Sequence, residues 1–131
     1  MKNILFTLAL LISFSSFGQT SSEYFQSGYD KDDKGDYYGA ISDYTKAIEL
    51  NPDANTYYNR ASSKKKLKDY YGAISDYNKA IELNSNYTSA YVNRGIAKEL
   101  IGDMNGACAD WKRAANMGHT NAAKWVANQC N

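Results

Sequence analysis

The sequence has little of the residue types that commonly build chemical sites: its 131 residues include one histidine, one proline and two cysteines. A zinc-type metal site would need a spaced set of histidines and cysteines, and a phosphate site would need a glycine-rich loop; neither pattern is present. The lone histidine, His119, has no carboxylate placed in the sequence to orient it as a base. We therefore expect no catalytic residue, metal or cofactor.

An excess of charge of one sign is also missing, since 15 Lys and Arg face 14 Asp and Glu. Such a neutral chain lacks the basic surplus of an electrostatic nucleic-acid binder, so no nucleic-acid partner is expected. The charge is nevertheless uneven along the chain. Residues 19–53 have eight acids and three bases (net −5), residues 54–87 three and six (net +3), and residues 88–131 three and five (net +2).

The chain has one long apolar run, at its N-terminus. Lys2 precedes an apolar stretch over residues 4–14, and small residues follow as far as Gly18. This pattern is typical of a secretory signal peptide cleaved after Gly18. A membrane-spanning helix needs about 20 apolar residues, more than this run contains. We predict a signal peptide over residues 1–18, a mature domain over residues 19–131, export to the periplasm or outside the cell, and no membrane insertion after cleavage.

What the chain does contain is one sixteen-residue segment written twice, DYYGAISDYTKAIELN from Asp36 and DYYGAISDYNKAIELN from Asp69. The two copies differ only at Thr45 and Asn78. Their alanines, isoleucines and tyrosines recur at steps of three and four residues, which predicts an amphipathic helix. Each leading aspartate is placed to cap the first turn. A third, weaker copy begins at Asp103.

A shorter related stretch precedes each copy and begins with a tyrosine: Tyr24, Tyr57 and Tyr91. The last two predict helices near residues 55–67 and 88–101. The unit is therefore a helix, a short turn and a second helix, about 34 residues in all. We place the repeats at about residues 21–53, 54–87 and 88–121.

This pattern resembles the tetratricopeptide repeat family, whose motif W-x2-L-G-x2-Y is followed by A-x3-F and then P. The chain keeps an aromatic opener, a small residue four positions later and an A-x3-aromatic element in every unit: Tyr24, Gly28, Ala40, Tyr44; Tyr57, Ala61, Ala73, Tyr77; Tyr91, Gly95, Ala107, Trp111. The resemblance implies an all-α, helix-turn-helix solenoid of three repeats. A cap helix is expected at about residues 120–130, with Thr120 as its N-cap.

The chain departs from the family motif at two positions of each first helix. The aliphatic position holds Ser27, Arg60 or Arg94, and the second tyrosine is replaced by Lys31, Lys64 or Lys98. Long side-chain stems can cover apolar surface, so we expect softer packing within each helix pair. The acidic and lysine-rich residues 30–35 are expected to break the first helix early. The lysine run over residues 64–68 is interpreted as a solvated face rather than a polyanion site.

The resemblance further implies a non-enzymatic scaffold whose first helices line a concave face that binds a protein or peptide. By position on these helices, the predicted groove consists of Phe25, Tyr29, Tyr58, Asn59, Ser62, Lys65, Val92, Asn93, Ile96 and Glu99. Its apolar members would bury side chains of an extended partner, and the two asparagines would bond its backbone. The alternative is that the aromatic residues only pack against one another.

Some relatives grip the terminal carboxylate of a partner with lysine, arginine and asparagine side chains. In this chain Phe25, Tyr29, Ser89 and Asn93 occupy most of those places, and only Asn59 agrees. We therefore do not expect that mode of binding. A second hypothesis is structural: the acidic first unit and the basic second unit would meet head to tail in a weak homo-oligomer or an envelope assembly.

The two cysteines of an exported chain suggest a disulfide. Cys108 and Cys130 lie eleven residues on either side of His119, where the predicted turn joins two antiparallel helices. They should therefore lie at the same level of that hairpin. The alternative is two buried free thiols that pack as small apolar side chains.

Overall fold

A computed structural model describes residues 18–131 of the chain, and the predicted signal peptide lies outside the described residues except for Gly18. The described part folds into seven helices: α1 (Ser21–Asp33), α2 (Tyr37–Leu50), α3 (Ala54–Lys66), α4 (Tyr70–Leu83), α5 (Thr88–Leu100), α6 (Met104–Asn116) and α7 (Thr120–Gln129). The predicted all-α solenoid of three helix pairs and a further C-terminal helix is confirmed. None of the helices in residues 18–131 is long and apolar enough to cross a membrane.

The second helix of each pair begins with the same cap. Asp36, Asp69 and Asp103 accept a hydrogen bond from the backbone N–H three residues on, at 2.9, 3.0 and 2.9 Å. The donor is a glycine in all three helices. A Cβ atom at that position would lie 2.2 Å from the capping carboxylate as it is placed, so any other residue would require the aspartate side chain to shift.

Small residues let the two helices of a pair approach closely. Tyr44, Tyr77 and Trp111 are almost fully buried among fully buried alanines of the second helices. A Cβ atom at Gly28 would lie 2.8 Å from the Tyr44 ring, and one at Gly95 would lie 2.5 Å from Trp111 Nε1. The aromatic side chain of each second helix therefore fills the space that the small residue of the first helix leaves.

The first helices of neighbouring pairs lie next to one another. α1 meets α3 and α3 meets α5 over more residues than any two of the second helices meet. Neighbouring pairs join where α2 packs on α3, α4 on α5 and α6 on α7. We call the surface formed by α1, α3 and α5 the inner face.

Two local predictions were wrong. α1 does not break early: it has 13 residues, the same length as α3 and α5, because Asp32 near its end accepts hydrogen bonds from Ser63 and Lys66 of α3. Thr120 is not the cap of α7 but its first residue. The cap is His119, whose Nδ1 accepts from the N–H of Ala122 at 3.1 Å.

The departures from the family motif also have a different role from the one predicted. Arg60 donates two hydrogen bonds to Asp76, at 2.8 and 2.7 Å, and Lys64 Nζ lies 2.9 Å from the same carboxylate. Asp76 is only 3% exposed. The equivalent residues in the other pairs repeat the arrangement: Arg94, Lys98 and Asp110; Ser27, Lys31 and Asp43. These long side chains therefore pair with a buried carboxylate in each helix pair instead of merely covering apolar surface.

Candidate functional site

The predicted groove residues all lie on α1, α3 and α5, but they are not equally available. Tyr29 is 53% exposed, whereas Phe25 is half-buried with its ring 5.7 Å from that of Tyr44. Val92 is only 6% exposed and packs in the core with Trp111, so it cannot contribute to a groove. Ile96 is partly buried against the same cluster.

A hydrogen-bonded network joins α3 to α5 at the centre of the inner face. Lys65 Nζ donates to Asn93 Oδ1 at 2.7 Å. The Asn93 side-chain amide donates hydrogen bonds to the Tyr58 hydroxyl at 3.1 Å and to the Ser89 carbonyl at 2.9 Å. The structure thus brings together three of the predicted residues, Tyr58, Lys65 and Asn93, as one unit.

Tyr58 packs against aromatic residues outside the predicted groove rather than against its other aromatic members. The rings of Tyr58 and Tyr87 are stacked with centroids 4.9 Å apart, and Tyr77 lies 5.7 Å from Tyr58 on another side. The Ser62 hydroxyl donates to the Tyr58 carbonyl at 3.0 Å and lies 3.1 Å from the Tyr77 hydroxyl. Tyr58 is therefore a half-buried wall of the site rather than a free side chain.

Asn55 and Tyr87 also lie at the inner face, although the sequence prediction did not include them. Asn55 receives a hydrogen bond from the Tyr87 hydroxyl at 3.0 Å and two from the side chain of Asn59, at 2.8 and 3.2 Å. The amide N–H groups of Asn59 and Asn93 are thus already engaged within the protein. An amide oxygen accepts up to two hydrogen bonds, so Asn59 Oδ1, and Asn93 Oδ1 beside its bond from Lys65, can still accept from the N–H groups of an extended peptide. The predicted backbone contact is thereby limited to these two oxygens.

The electrostatics of the site centre on Lys65. Burial lowers the pKa of Lys65, and the charge of neighbouring Lys66 lowers it further. Burial also raises the pKa of Tyr58, and it raises that of Tyr87 to about 12, so both hydroxyls stay protonated at neutral pH. The site is therefore a half-buried ammonium beside neutral hydroxyl and amide groups.

A hollow of about 170 Å³ lies at one end of this region. Ser22 and Phe25 of α1 and Asn55 of α3 are among the residues that line it. Within residues 18–131, no group of three or more His, Cys, Asp or Glu side chains is placed to hold a metal ion. The inner face thus offers neutral polar groups, aromatic rings, one half-buried ammonium and the exposed carboxylate of Glu99, which are features suited to holding a peptide.

At the other end of the molecule, a bond joins Cys108 of α6 to Cys130, directly after α7, with their Cα atoms 5.6 Å apart. The two cysteines lie at one level of the α6–α7 hairpin, as their spacing around His119 suggested. The bond ties the end of α7 to the preceding helix.

Comparison with known proteins places these features among repeat domains. Residues 54–87 and residues 24–53 each match a description of the tetratricopeptide repeat. The chain is similar to the first TPR of Spaghetti (RPAP3), solved bound to the HSP90 peptide SRMEEVD, with 30% identity, a TM-score of 0.79, and 84% of this chain and 90% of that chain covered.

Two further solved structures show the same likeness. The first TPR domain of human RPAP3 is 29% identical, with a TM-score of 0.77, and the match covers 83% of this chain and 88% of that chain. The TPR2B domain of yeast Sti1, solved as a pHsp70 complex, is 29% identical with a TM-score of 0.73, covering 82% and 88%. No curated protein matches the chain in sequence.

Proposed function

Because the chain belongs to the tetratricopeptide repeat family, we propose that it is a non-enzymatic module that binds an extended peptide segment of another protein on its inner face. Two similar domains were solved with a peptide or protein ligand, an HSP90 peptide in one and pHsp70 in the other. The observation that carries the proposal is the network of Tyr58, Asn93 and Lys65, which places polar groups and a cation between two neighbouring first helices.

The inner face has the two components that peptide recognition needs. The carbonyl oxygens of Asn59 and Asn93 can accept hydrogen bonds from backbone N–H groups. Tyr29 and Phe25 provide apolar surface for side chains, and the hollow beside α1 is lined mostly by polar residues. Grooves generally recognise extended segments by combining hydrogen bonds to the backbone with contacts to alternate side chains.

The proposed ligand differs from one held by its terminal carboxylate through several cations. The inner-face positions at Phe25, Tyr29, Ser89 and Asn93 carry no positive charge. An isolated terminal carboxylate would therefore find one ammonium, Lys65, instead of a cluster. We propose an internal segment of a protein as the ligand.

We also propose that the protein acts after export, in the periplasm or outside the cell. The proposal is supported by the signal-peptide pattern of residues 1–18 and by the Cys108–Cys130 bond, since disulfides persist in oxidising compartments. N-terminal sequencing of the protein from its native source is expected to begin directly after Gly18. Retention of Met1 would refute the proposal of export.

The binding proposal is tested by selecting heptapeptides from a random library with the purified protein and measuring their affinity for two matched variants. Tyr29→Ala removes an inner-face ring that is 53% exposed, and Tyr38→Ala removes an α2 ring that is 76% exposed. We expect Tyr29→Ala to weaken binding about fivefold to tenfold, the scale of a modest contact, and Tyr38→Ala to leave it unchanged. Failure to select any peptide, or equal losses in the two variants, would refute the inner-face proposal.

A further inference from the structure

Three consecutive lysines at the end of α3 differ in their partners. Lys64 lies 2.9 Å from Asp76, and Lys66 pairs with Asp32. Lys65, between them, donates instead to the neutral amide oxygen of Asn93. Among residues 18–131, no carboxylate oxygen lies within 4.0 Å of Lys65 Nζ.

Lys65 is also held where a charge is costly. Its side chain is half-buried on the inner face, and a partly desolvated ammonium is less stable than one in water unless an anion compensates it. The lowered pKa of Lys65 agrees with this environment, since burial and the charge of Lys66 both disfavour the cation. An amide oxygen compensates only part of that cost.

The position of Lys65 is fixed rather than flexible. Asn93 Oδ1 holds the ammonium, while the amide of Asn93 is itself held by the Tyr58 hydroxyl and the Ser89 carbonyl. An ammonium has three N–H donors, so two remain for a ligand after the bond to Asn93. A carboxylate that approached along the inner face would meet a preorganised donor and pay little to order it.

We infer that Lys65 is the recognition point for an aspartate or glutamate side chain of the peptide bound on the inner face. The inference rests on the proposed function and names the chemistry of its ligand. Lys65 is the one cation among the ten predicted groove residues, so a single acidic side chain is favoured over an acidic cluster. The stacked rings of Tyr58 and Tyr87 beside the network favour apolar residues next to that acid.

The test uses a library of N-acetylated, C-amidated heptapeptides, in which every carboxylate belongs to a side chain. It is screened against the wild-type protein, Lys65→Met, Lys65→Arg and Lys68→Met. The last variant is the matched control, because it removes the same charge from an exposed lysine outside the network. Wild type, Lys65→Arg and Lys68→Met are expected to select peptides enriched in Asp or Glu at one position, and Lys65→Met to lose that enrichment.

The affinity of one selected peptide and of its Glu→Gln or Asp→Asn counterpart then measures the contact. We expect the acidic peptide to bind about tenfold more tightly than its amide counterpart, and Lys65→Met to abolish this difference. Selection of inner-face peptides with no acidic preference, or a preference that survives Lys65→Met, would overturn this inference and leave the proposed function standing. Selection of no peptide would overturn both.

Discussion

Asp76 is the buried carboxylate of the second helix pair. We expect the loss of its charge to lower the free energy of unfolding more than other changes of similar size. Asp76→Asn keeps the shape of the side chain but removes its charge, and it turns an amide N–H toward donors. Arg60 and Lys64, whose side chains are 16% and 21% exposed, would then lack their anion. Asp76 itself has a side chain only 4% exposed, so water cannot take its place.

The magnitude follows from this burial. Removing one partner of a buried ion pair typically costs 3–5 kcal/mol, because the other charge is left uncompensated; we expect about 3 kcal/mol here, since both cations are partly solvated and Arg60 keeps its bond to Thr45. Asp43→Asn is the matched comparison. Its partners are the neutral Ser27 and Lys31, whose side chain is 41% exposed, so we expect a loss of only about 1 kcal/mol.

Urea unfolding followed by circular dichroism measures both variants in one assay. Asp76→Asn should lower the free energy of unfolding by clearly more than Asp43→Asn. The variant Arg60→Met/Lys64→Met/Asp76→Leu should recover most of the loss, because apolar residues of similar size replace buried ion pairs at little cost. Equal losses for the two single variants, or a wild-type midpoint for Asp76→Asn, would refute the reasoning.

Three further predictions follow from other contacts. Denatured protein should show no free thiol, and reduction should lower the free energy of unfolding by about 3 kcal/mol for this 22-residue separation, as thiol titration and thermal melts would show. Burial raises the pKa of Asp43, but Lys31, Ser27 and Lys46 together hold it below its ordinary 3.8; stability should therefore fall as the pH drops below about 4, less steeply in Asp43→Asn, and a parallel decline would contradict this. Gly95→Ala should cost about 1–2 kcal/mol in urea unfolding, because the Cβ atom meets Trp111.

The fold could be predicted because the repeat is visible at every level of the sequence. Period, caps and small residues all indicate the same helix pairs, and the aspartate caps are confirmed at Asp36, Asp69 and Asp103. The start of α7 was harder to assign, since a histidine accepts an N-terminal capping bond more rarely than serine or threonine does. A single Thr next to His119 therefore indicated the wrong cap.

The buried carboxylates could not be predicted, because an aspartate on a helix normally indicates an exposed position. The burial of Asp76 is compensated by Arg60 and Lys64, and Arg60 lies sixteen residues away in the chain. With that pairing known, the one difference between the duplicated segments is seen to preserve a contact. Thr45 accepts from Arg60 and Asn78 accepts from Arg94, so two different side chains offer an oxygen to the arginine of the next pair.

The site could be predicted only as a set of positions on helix faces. Helical spacing correctly placed Tyr58, Lys65 and Asn93 on facing first helices. It also included Val92, which is buried in the core beside Trp111. Tyr87 was missed because it precedes α5 and reaches the inner face only through its stacking on Tyr58. Such contacts depend on the packing of one helix pair against the next, which a helical period does not contain.

One geometry of head-to-tail association, in which a second helix of another copy packs on α7, meets a steric obstacle. Trp125 and Gln129 follow Tyr91 and Gly95 by 34 residues, so α7 has the register of a first helix. In the pairs α1–α2 and α5–α6, a Cβ atom at the small-residue position would lie under 3.0 Å from the aromatic residue of the second helix, and the pair α3–α4 has nothing larger than Ala61 there.

Gln129 occupies that position in α7, and a second helix from another copy could not pack there as α6 packs on α5. Attraction between the acidic first unit and the basic second unit would then have to hold two copies together through another surface. We expect sedimentation velocity to show a monomer at both low and high salt. A sedimentation coefficient that rises with protein concentration at low salt and falls on adding salt would contradict this and favour the structural hypothesis, since ion pairs between separate surfaces are weakened by screening.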